Sequence, residues 1–145
     1  MHFDLTVNKM VNDACRKGEI IVYGGEQFRC HIHMRDLCDF YRLLLKTPTE
    51  KIMGEVFNAV GIAQCMPVFT TASIVAGVTL AKVTRRLSTD NRSYMADSAK
   101  AIAELEWKPN KTVEMAAGEM ATRFNAGYWK DSYSELAQNM RHDIV

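Results

Sequence analysis

The stretch IIVYGGEQFRCHIHMRDL (20–37) decides the fold of this chain, because its residue pattern changes twice along its length. The β-rich run EIIVY (19–23) predicts a strand, and two glycines at 24–25 bring it to an end. A second strand is predicted over 28–33, entered either through a hairpin turn or around a sharp corner. Beyond it apolar residues recur every three or four positions, which predicts a core-facing helix over 35–46.

The flanking sequence continues this mixture of helical and strand periodicities. Upstream, an apolar stripe predicts a helix over 3–16, and Gly18 after a lysine is an ordinary helix end. The run 72–81 is compatible with helix or strand by periodicity alone; we predict a helix there and irregular structure over 61–71. The other predicted elements are helices over 98–105 (capped by Asp97), 113–124 (capped by Thr112) and 133–140, and strands over 55–60 and 82–87. The fold class is therefore α+β, a small single domain of helices with short strands.

Length and charge exclude several kinds of protein. At 145 residues the chain has the size of one domain. Lys and Arg total 18 against 17 Asp and Glu, a net charge of +1, which offers no basic field to nucleic acid or to a membrane surface. No apolar run approaches the roughly 20 residues of a membrane helix, and the N-terminus lacks the apolar core of a signal peptide. We therefore expect no nucleic-acid partner, no membrane partner and a cytoplasmic location.

The four cysteines, at positions 15, 30, 38 and 65, show neither a CxxC spacing nor a disulfide framework. Without an export signal, reduced thiols are the expected state. Cys15 and Cys38 fall within helical patterns, where a small apolar packing role is the ordinary one.

A pair of histidines is the first candidate site. His31 and His33 would share one face of the predicted strand, as metal-binding pairs do. Cys30 would point to the opposite face, and no third ligand stands at a fixed spacing. A structural or exposed role is therefore favoured, and we predict no metal site.

Arginines near the glycine pair are the second candidate. Arg29 follows the turn on a strand and could grip a phosphate with its planar guanidinium, although a solvated surface position is ordinary for a lone Arg. A basic stretch over 82–92 is interpreted as a solvated face, with an anion site as the alternative. The basic residues of this stretch are Lys82, Arg85, Arg86 and Arg92.

Four blocks of sequence, taken in order, resemble the C-terminal, substrate-binding part of extended short-chain dehydrogenases/reductases. These are NAD-dependent epimerases and dehydratases of nucleotide-sugars. FDLTVN (3–8) is similar to the family's helix start, and 20–37 to its strand–glycine–strand–Arg–His–x–x–Asp block. GEVFNAVG (54–61) resembles the strand that returns the chain to the nucleotide-binding half. DNRSYMADSAKAIAELEWKP (90–109) resembles a late block with an Arg and a Trp-Lys-Pro corner.

The same resemblance shows what the sequence lacks. The family's cofactor half carries a GxxGxxG turn and an active-site YxxxK, and neither motif occurs in this chain. Without them there is no positioned acid/base and no close approach to a dinucleotide. The resemblance therefore implies no catalytic residue here, and NAD or NADP bound only by an absent half.

The family's binding roles can be carried over residue by residue. Asn8 matches the helix Asn that bonds the substrate diphosphate, and Tyr23 and Gly24 match the segment that borders the nucleobase. Arg29 and Arg92 match two arginines that clamp phosphate. A diphosphate and two guanidinium groups form charge-assisted, bidentate hydrogen bonds.

Two further matches, His33 and Asp36, are expected to hold local structure rather than do chemistry. The resemblance implies a nucleotide-sugar-binding lobe over 1–130, followed by a C-terminal helical tail over 131–145. Such a lobe is inactive without a Rossmann half, which would be a separate subunit or a missing part. The alternative is a non-catalytic binding or assembly module derived from the lobe, and self-association is expected because surfaces that face the Rossmann half would be exposed.

Overall fold

Six helices and four short strands make up the described part of the computed structural model, which comprises residues 2–61, 63–90 and 92–129. The helices are α1 (Thr6–Lys17), α2 (Met34–Leu44), α3 (Thr49–Ile52), α4 (Val68–Thr79), α5 (Ala99–Leu105) and α6 (Val113–Asn125). The strands are β1 (Glu19–Tyr23), β2 (Phe28–Cys30), β3 (Cys65–Pro67) and β4 (Lys82–Arg86). The α+β class predicted from the sequence is confirmed.

The strands pair into two separate two-stranded sheets. β1 runs parallel to β4, with Tyr23 opposite Arg86. β2 runs antiparallel to β3, with Cys30 opposite Cys65. Because β1 and β2 pair with different partners, the glycine turn between them is a sharp corner and not a hairpin. The second strand is also shorter than predicted, since it ends at Cys30 and not at residue 33.

The main core lies where α1, α4 and α6 pack against the β1–β4 sheet. Ile20 and Val22, alternate residues of β1, are both 1% exposed and face this core. They meet Val11 of α1, Val75 of α4 and Ala117 of α6, which are fully buried. The predicted helix at 72–81 is confirmed as α4, and neighbours on several sides explain why its apolar residues follow no single stripe.

A smaller cluster joins α2 to α5. Phe40 of α2 packs on Trp107, with ring centroids 4.8 Å apart. Ala101 and Leu105 of α5 complete the cluster, and all four side chains are buried. Trp107 of the Trp-Lys-Pro corner thus helps to pack α5 against α2.

The strand predicted over 55–60 is absent. In the described residues no strand lies beside this segment, and its links to the rest of the fold are made by side chains. Asn58 Nδ2 donates to the carbonyl of Asp97 (3.1 Å), and Ser98 Oγ donates to the carbonyl of Val60 (3.3 Å). The residues have strand propensity, but a strand needs a neighbour to receive its backbone hydrogen bonds.

The prediction of irregular structure over 61–71 is wrong in its second half. β3 occupies part of it, and α4 begins directly after Pro67, whose fixed φ of −56° suits the position before a helix. The N-cap of α6 is confirmed, because Thr112 Oγ1 accepts from the backbone N–H of Met115 (3.2 Å). Asp97 lies one residue before the cap of α5 and accepts from Ala99 N (2.9 Å).

The helix predicted over 133–140 lies outside the described residues. Among the residues that are described, no helix has the length and apolar character needed to cross a membrane. The sequence did not predict α3, a single turn of four residues.

The expectation of four reduced thiols is wrong for two of them. Cys30 of β2 and Cys65 of β3 form a disulfide across the β2–β3 pair, while Cys15 and Cys38 are free and exposed. The pairing was not visible in the sequence because it depends on strand register. Disulfides persist mainly in oxidising compartments, so this bridge weighs against the cytoplasmic location expected from the sequence.

Candidate functional site

Arg29 and Arg92 meet beside β2 although 63 positions separate them in the sequence. Arg29 Nη1 donates to the carbonyl oxygens of Arg92 (2.7 Å) and Phe28 (2.8 Å). Phe28 N in turn donates to Ser93 Oγ (2.9 Å), which lays the segment carrying Arg92 along β2. The Arg29 guanidinium also lies 5.4 Å from the centre of the Tyr94 ring. Arg29 is therefore held in place, and the surface position considered for a lone Arg is wrong.

Asp90 lies between the two guanidinium groups. Arg92 donates from Nε to Oδ1 and from Nη2 to Oδ2, both at 2.8 Å, and its backbone N donates to Oδ1 at 3.0 Å. Arg29 Nη2 is 3.8 Å from Oδ2. The hydrogen bonds from Arg92 hold the pKa of Asp90 far below its ordinary value, and the same carboxylate raises the pKa of Arg92. The Arg92 side chain remains 85% exposed, so it also faces solvent.

The turn after β1 adjoins this arginine pair. Gly24 and Gly25 have φ values of +72° and +110°, which glycine adopts without strain. Gln27 closes the turn, since Nε2 donates to the Tyr23 carbonyl (3.0 Å) and Oε1 accepts from Gly25 N (2.7 Å). A Cβ on Gly24 would lie 3.4 Å from Cβ of Ser88, in the segment that leads to Asp90. Gly24 therefore lies close to the segment that leads to Asp90, while the half-exposed Tyr23 pairs with Arg86 at the end of β1.

Asn8 lies in a different place from the other four predicted site residues. It lines a cavity of about 510 Å³ between α1, the start of α2 and α6. Its Nδ2 donates to the carbonyl of His2 (2.8 Å). Neither the glycine turn nor the arginine pair lines this cavity. The structure therefore brings Arg29 and Arg92 together, places Gly24 near the segment that leads to Asp90, and leaves Asn8 apart.

His33 and Asp36 hold local structure, as the sequence predicted. His33 Nδ1 accepts from Arg35 N (3.1 Å) at the start of α2, and Nε2 is 3.6 Å from Glu119 Oε2. Asp36 is buried, and its Oδ2 accepts from the two successive backbone N–H groups of residues 110–111 at 3.1 and 2.8 Å. These contacts fix the approach of α2 to α6.

The two histidines of the sequence motif do not converge. His31 Nε2 is 3.1 Å from Thr71 Oγ1, and burial lowers the pKa of this imidazole below its ordinary 6.5. His33 faces Glu119 instead. No group of three His, Cys, Asp or Glu side chains in the described part of the chain is arranged to hold a metal ion.

Sequence reasoning missed the carboxylate at the centre of the site and two of its neighbours. Asp90 precedes Arg92 by two positions, and in extended backbone such residues lie on one face. That spacing was a signal for the pair. Ser93 and Tyr94 carried no comparable signal, because their contacts with β2 arise only when the segment folds back.

The other basic residues of the stretch over 82–92 all lie on β4. Arg85 Nη2 is 2.5 Å from Glu26 Oε1, and Arg85 Nε donates to the carbonyl of Gly24. Lys82 and Arg86 lie at the two ends of β4. Within the described part of the chain, Arg92 is the member of this group that contacts Arg29.

The glycine turn at 24–25 does not have the geometry of a dinucleotide site. A dinucleotide site needs a Gly-rich turn that passes from a strand into a helix, so that the helix N-terminus receives the pyrophosphate. In this structure Gly24 and Gly25 connect β1 to β2, a strand to a strand.

No family model matches this chain, and no curated protein matches it either. Solved structures do. The dTDP-glucose 4,6-dehydratase of Bacillus anthracis, in complex with NAD, shares 19% identity at a TM-score of 0.71, over 92% of this chain and 42% of that one. The UDP-glucose 4-epimerase of Thermotoga maritima, with UDP-glucose, shares 20% identity at a TM-score of 0.68, over 86% of this chain and 40% of that one. The L-threonine dehydrogenase of Phytophthora infestans shares 10% identity at a TM-score of 0.71, over 84% of this chain and 41% of that one.

This chain therefore shares its fold with a part of these solved enzymes, which agrees with the α+β fold that the sequence resemblance implied. The chain spans less than half the length of the solved enzymes named above. A threonine dehydrogenase matches it at the same TM-score, 0.71, as a sugar dehydratase, so the fold alone does not select the substrate.

Proposed function

We propose that this chain is the nucleotide-sugar-binding lobe of an NAD-dependent sugar epimerase or dehydratase. In this proposal it is inactive alone and works with a Rossmann half that holds NAD or NADP and the Tyr/Lys catalytic pair. The observation that carries the proposal is the meeting of Arg29 and Arg92 beside the glycine turn. The shared fold with a dTDP-glucose dehydratase and a UDP-glucose epimerase supports it.

The chemistry of the site suits a diphosphate. Arg29 is fixed by two carbonyl oxygens and keeps Nη2 directed toward the carboxylate between the arginines. Arg92 is exposed and can turn to a ligand. Two guanidinium groups supply a charged clamp, and the proposal assigns the surface for the base to Tyr23 and Gly24 at the turn that precedes β2. Grip and orientation of this kind are the lobe's contribution to rate, through proximity of sugar and cofactor.

Asn8 has a separate proposed role. Its cavity does not include the arginine pair, so one ligand would have to extend from the clamp toward α1 to reach both. We therefore propose the arginine pair as the primary contact and Asn8 as an outlying one.

The proposed location stays the cytoplasm, on condition that the Cys30–Cys65 bridge resists reduction there. Structural disulfides of low reduction potential do resist the glutathione pool. A bridge that cytosolic concentrations of glutathione open would move the proposed location to an oxidising compartment.

Nucleotide-sugars are expected to raise the melting temperature of the chain, and Arg29→Ala or Arg92→Ala to abolish that rise. A ligand bound at 100 times its dissociation constant stabilises by about 2.7 kcal/mol, which a thermal-shift assay resolves. The panel consists of UDP-, GDP-, dTDP- and CDP-sugars. Arg42→Ala is the matched control, because Arg42 is an exposed Arg on α2 paired only with Asp39 (3.2 Å) in the described contacts.

The outcomes separate the proposal from its competitor. A shift that survives in both clamp variants would place the ligand elsewhere. A well-folded sample that no nucleotide-sugar stabilises contradicts the binding lobe and favours the assembly module.

The second candidate function, a non-catalytic assembly module, rests on an exposed apolar stripe along α2 and its C-cap residue, Leu45. Met34, Tyr41 and Leu45 are 67%, 60% and 87% exposed and follow one another at helical spacing. Val56, in the extended segment that lacks a strand partner, is 79% exposed. Apolar patches of this kind usually mark an interaction surface, and either a Rossmann subunit or a second copy of the chain would cover it.

The purified chain is expected to self-associate, because its net charge of +1 opposes association weakly. Light scattering over a hundredfold concentration range should show a mass above the 16.4 kDa of one chain. Leu45→Glu should return the mass to that of the monomer, whereas Leu87→Glu, at a 99% exposed position outside α2, should not. A wild-type monomer at every concentration contradicts self-association.

A further inference from the structure

The arginine pair already holds an anion that belongs to the chain. The Asp90 carboxylate accepts a bidentate pair of hydrogen bonds from Arg92 and stands 3.8 Å from Arg29 Nη2. A phosphate group of a ligand would seek the same donors with the same fork geometry. Ligand and carboxylate therefore compete for one pair of guanidinium groups.

We propose that Asp90 is an internal stand-in for phosphate: it holds Arg29 and Arg92 together in the ligand-free protein and yields them to the ligand. It is a positioning residue, because it acts on the ligand through the two arginines. The inference rests on the proposed function insofar as the natural ligand is a nucleotide-sugar diphosphate.

The way in which Asp90 is anchored keeps its carboxylate at the pair. Asp90 N donates to Ser88 Oγ (3.1 Å), and Arg92 N donates to Asp90 Oδ1 (3.0 Å), so two local hydrogen bonds hold the carboxylate. Arg29 is fixed independently by carbonyl oxygens. Arg29 is thus preorganised without Asp90, which lowers the ordering cost of binding, so loss of the Asp90 charge removes a competitor while Arg29 stays in place.

A ligand can displace the Asp90 carboxylate from Arg92 at little cost because the Asp90–Arg92 ion pair is exposed to solvent. The Arg92 side chain is 85% exposed and that of Asp90 33%, and ion pairs in contact with water contribute little to stability. Low pKa keeps Asp90 ionised throughout the neutral range, so the competition does not vary there.

The competition also selects among ligands. The Asp90 carboxylate carries one negative charge. A ligand therefore displaces it from the arginines only if the ligand carries more negative charge or more acceptor oxygens. Diphosphates meet this condition, and single carboxylates do not. Asp90 therefore favours phosphate-bearing ligands at a site that would otherwise accept many anions.

Inorganic pyrophosphate tests this inference without a nucleotide or a sugar. Calorimetric titration of the full 145-residue chain is expected to show Asp90→Asn binding pyrophosphate about fivefold more tightly than wild type, the effect of removing one nearby like charge at a solvent-exposed site. Asp90→Glu should restore wild-type affinity. Asp39→Asn is the matched control, since it removes the same charge from an exposed Asp–Arg pair on α2.

Each outcome decides the matter. If Asp90 only held local structure, replacing it with Asn would weaken pyrophosphate binding. Weaker or unchanged binding in Asp90→Asn therefore overturns the inference. So does a chain that binds no pyrophosphate in either form. The proposed function can fail while the inference on Asp90 holds. In that case Asp90→Asn improves pyrophosphate binding, but nucleotide-sugars bind no more tightly than pyrophosphate.

Discussion

Loss of the Cys30–Cys65 disulfide is expected to lower the free energy of unfolding by about 4 kcal/mol. The bridge joins residues 35 positions apart, so it restricts the unfolded chain and lowers its entropy. The double variant Cys30→Ala, Cys65→Ala should show this loss in urea denaturation monitored by circular dichroism. Wild type in the presence of a dithiol reductant should show a similar loss.

Thiol titration provides the control. The unfolded wild-type chain should expose two reactive thiols before reduction and four after it, because Cys15 and Cys38 are free. Cys15→Ser should change stability by less than about 0.5 kcal/mol, since surface changes away from special features rarely cost more. Four thiols in an unreduced sample, or a double variant as stable as wild type, would contradict the bridge.

Replacement of Asp36 by Ala is expected to lower the free energy of unfolding by about 3 kcal/mol, as two backbone donors lose a charged acceptor. The donors are the N–H groups of residues 110–111, at 3.1 and 2.8 Å from Oδ2. Urea denaturation followed by Trp fluorescence measures the change, and Trp107 lies three residues before this contact.

Two variants show whether the loss comes from these hydrogen bonds. Asp36→Asn keeps an acceptor oxygen and should retain most of the stability. Asp39→Ala, on the same helix with a 63% exposed side chain, should cost less than about 0.5 kcal/mol. An equal loss in Asp36→Asn and Asp36→Ala would show that the negative charge, and not the acceptor geometry, stabilises this corner.

The disulfide and Asp36 each hold an element next to the candidate site in place. The disulfide fastens β2, the strand that carries Arg29, to β3. Asp36 fastens α2, which follows that strand, to the start of α6. Ala96 N donates to Cys30 Sγ (3.2 Å), so the bridge also contacts the segment that brings Arg92 to Arg29. Reduction should therefore weaken ligand binding as well as stability.

Periodicity and capping residues determined most of the helices and both strands of the first sheet. α2 follows from its apolar spacing, α6 from Thr112 as its cap, and the end of α1 from Gly18 with its φ of +68°. These signals are local, because helix hydrogen bonds and caps join residues a few positions apart. The order of the sequence blocks also predicted the shared fold that the solved enzymes show.

Tertiary structure alone decided which distant residues meet. The strand propensity of 55–60 could not make a strand without a neighbour, and the pairing of Cys30 with Cys65 depended on the register of β2 and β3. In the site, Arg29 and Arg92 were identifiable singly, but Asp90 between them emerged only when the segment after β4 folded back along β2. Asn8, predicted for the same site, lies in another cavity. The reason is physical: sequence records the preferences of neighbouring residues, whereas sheet pairing and the meeting of charges depend on contacts between residues many positions apart.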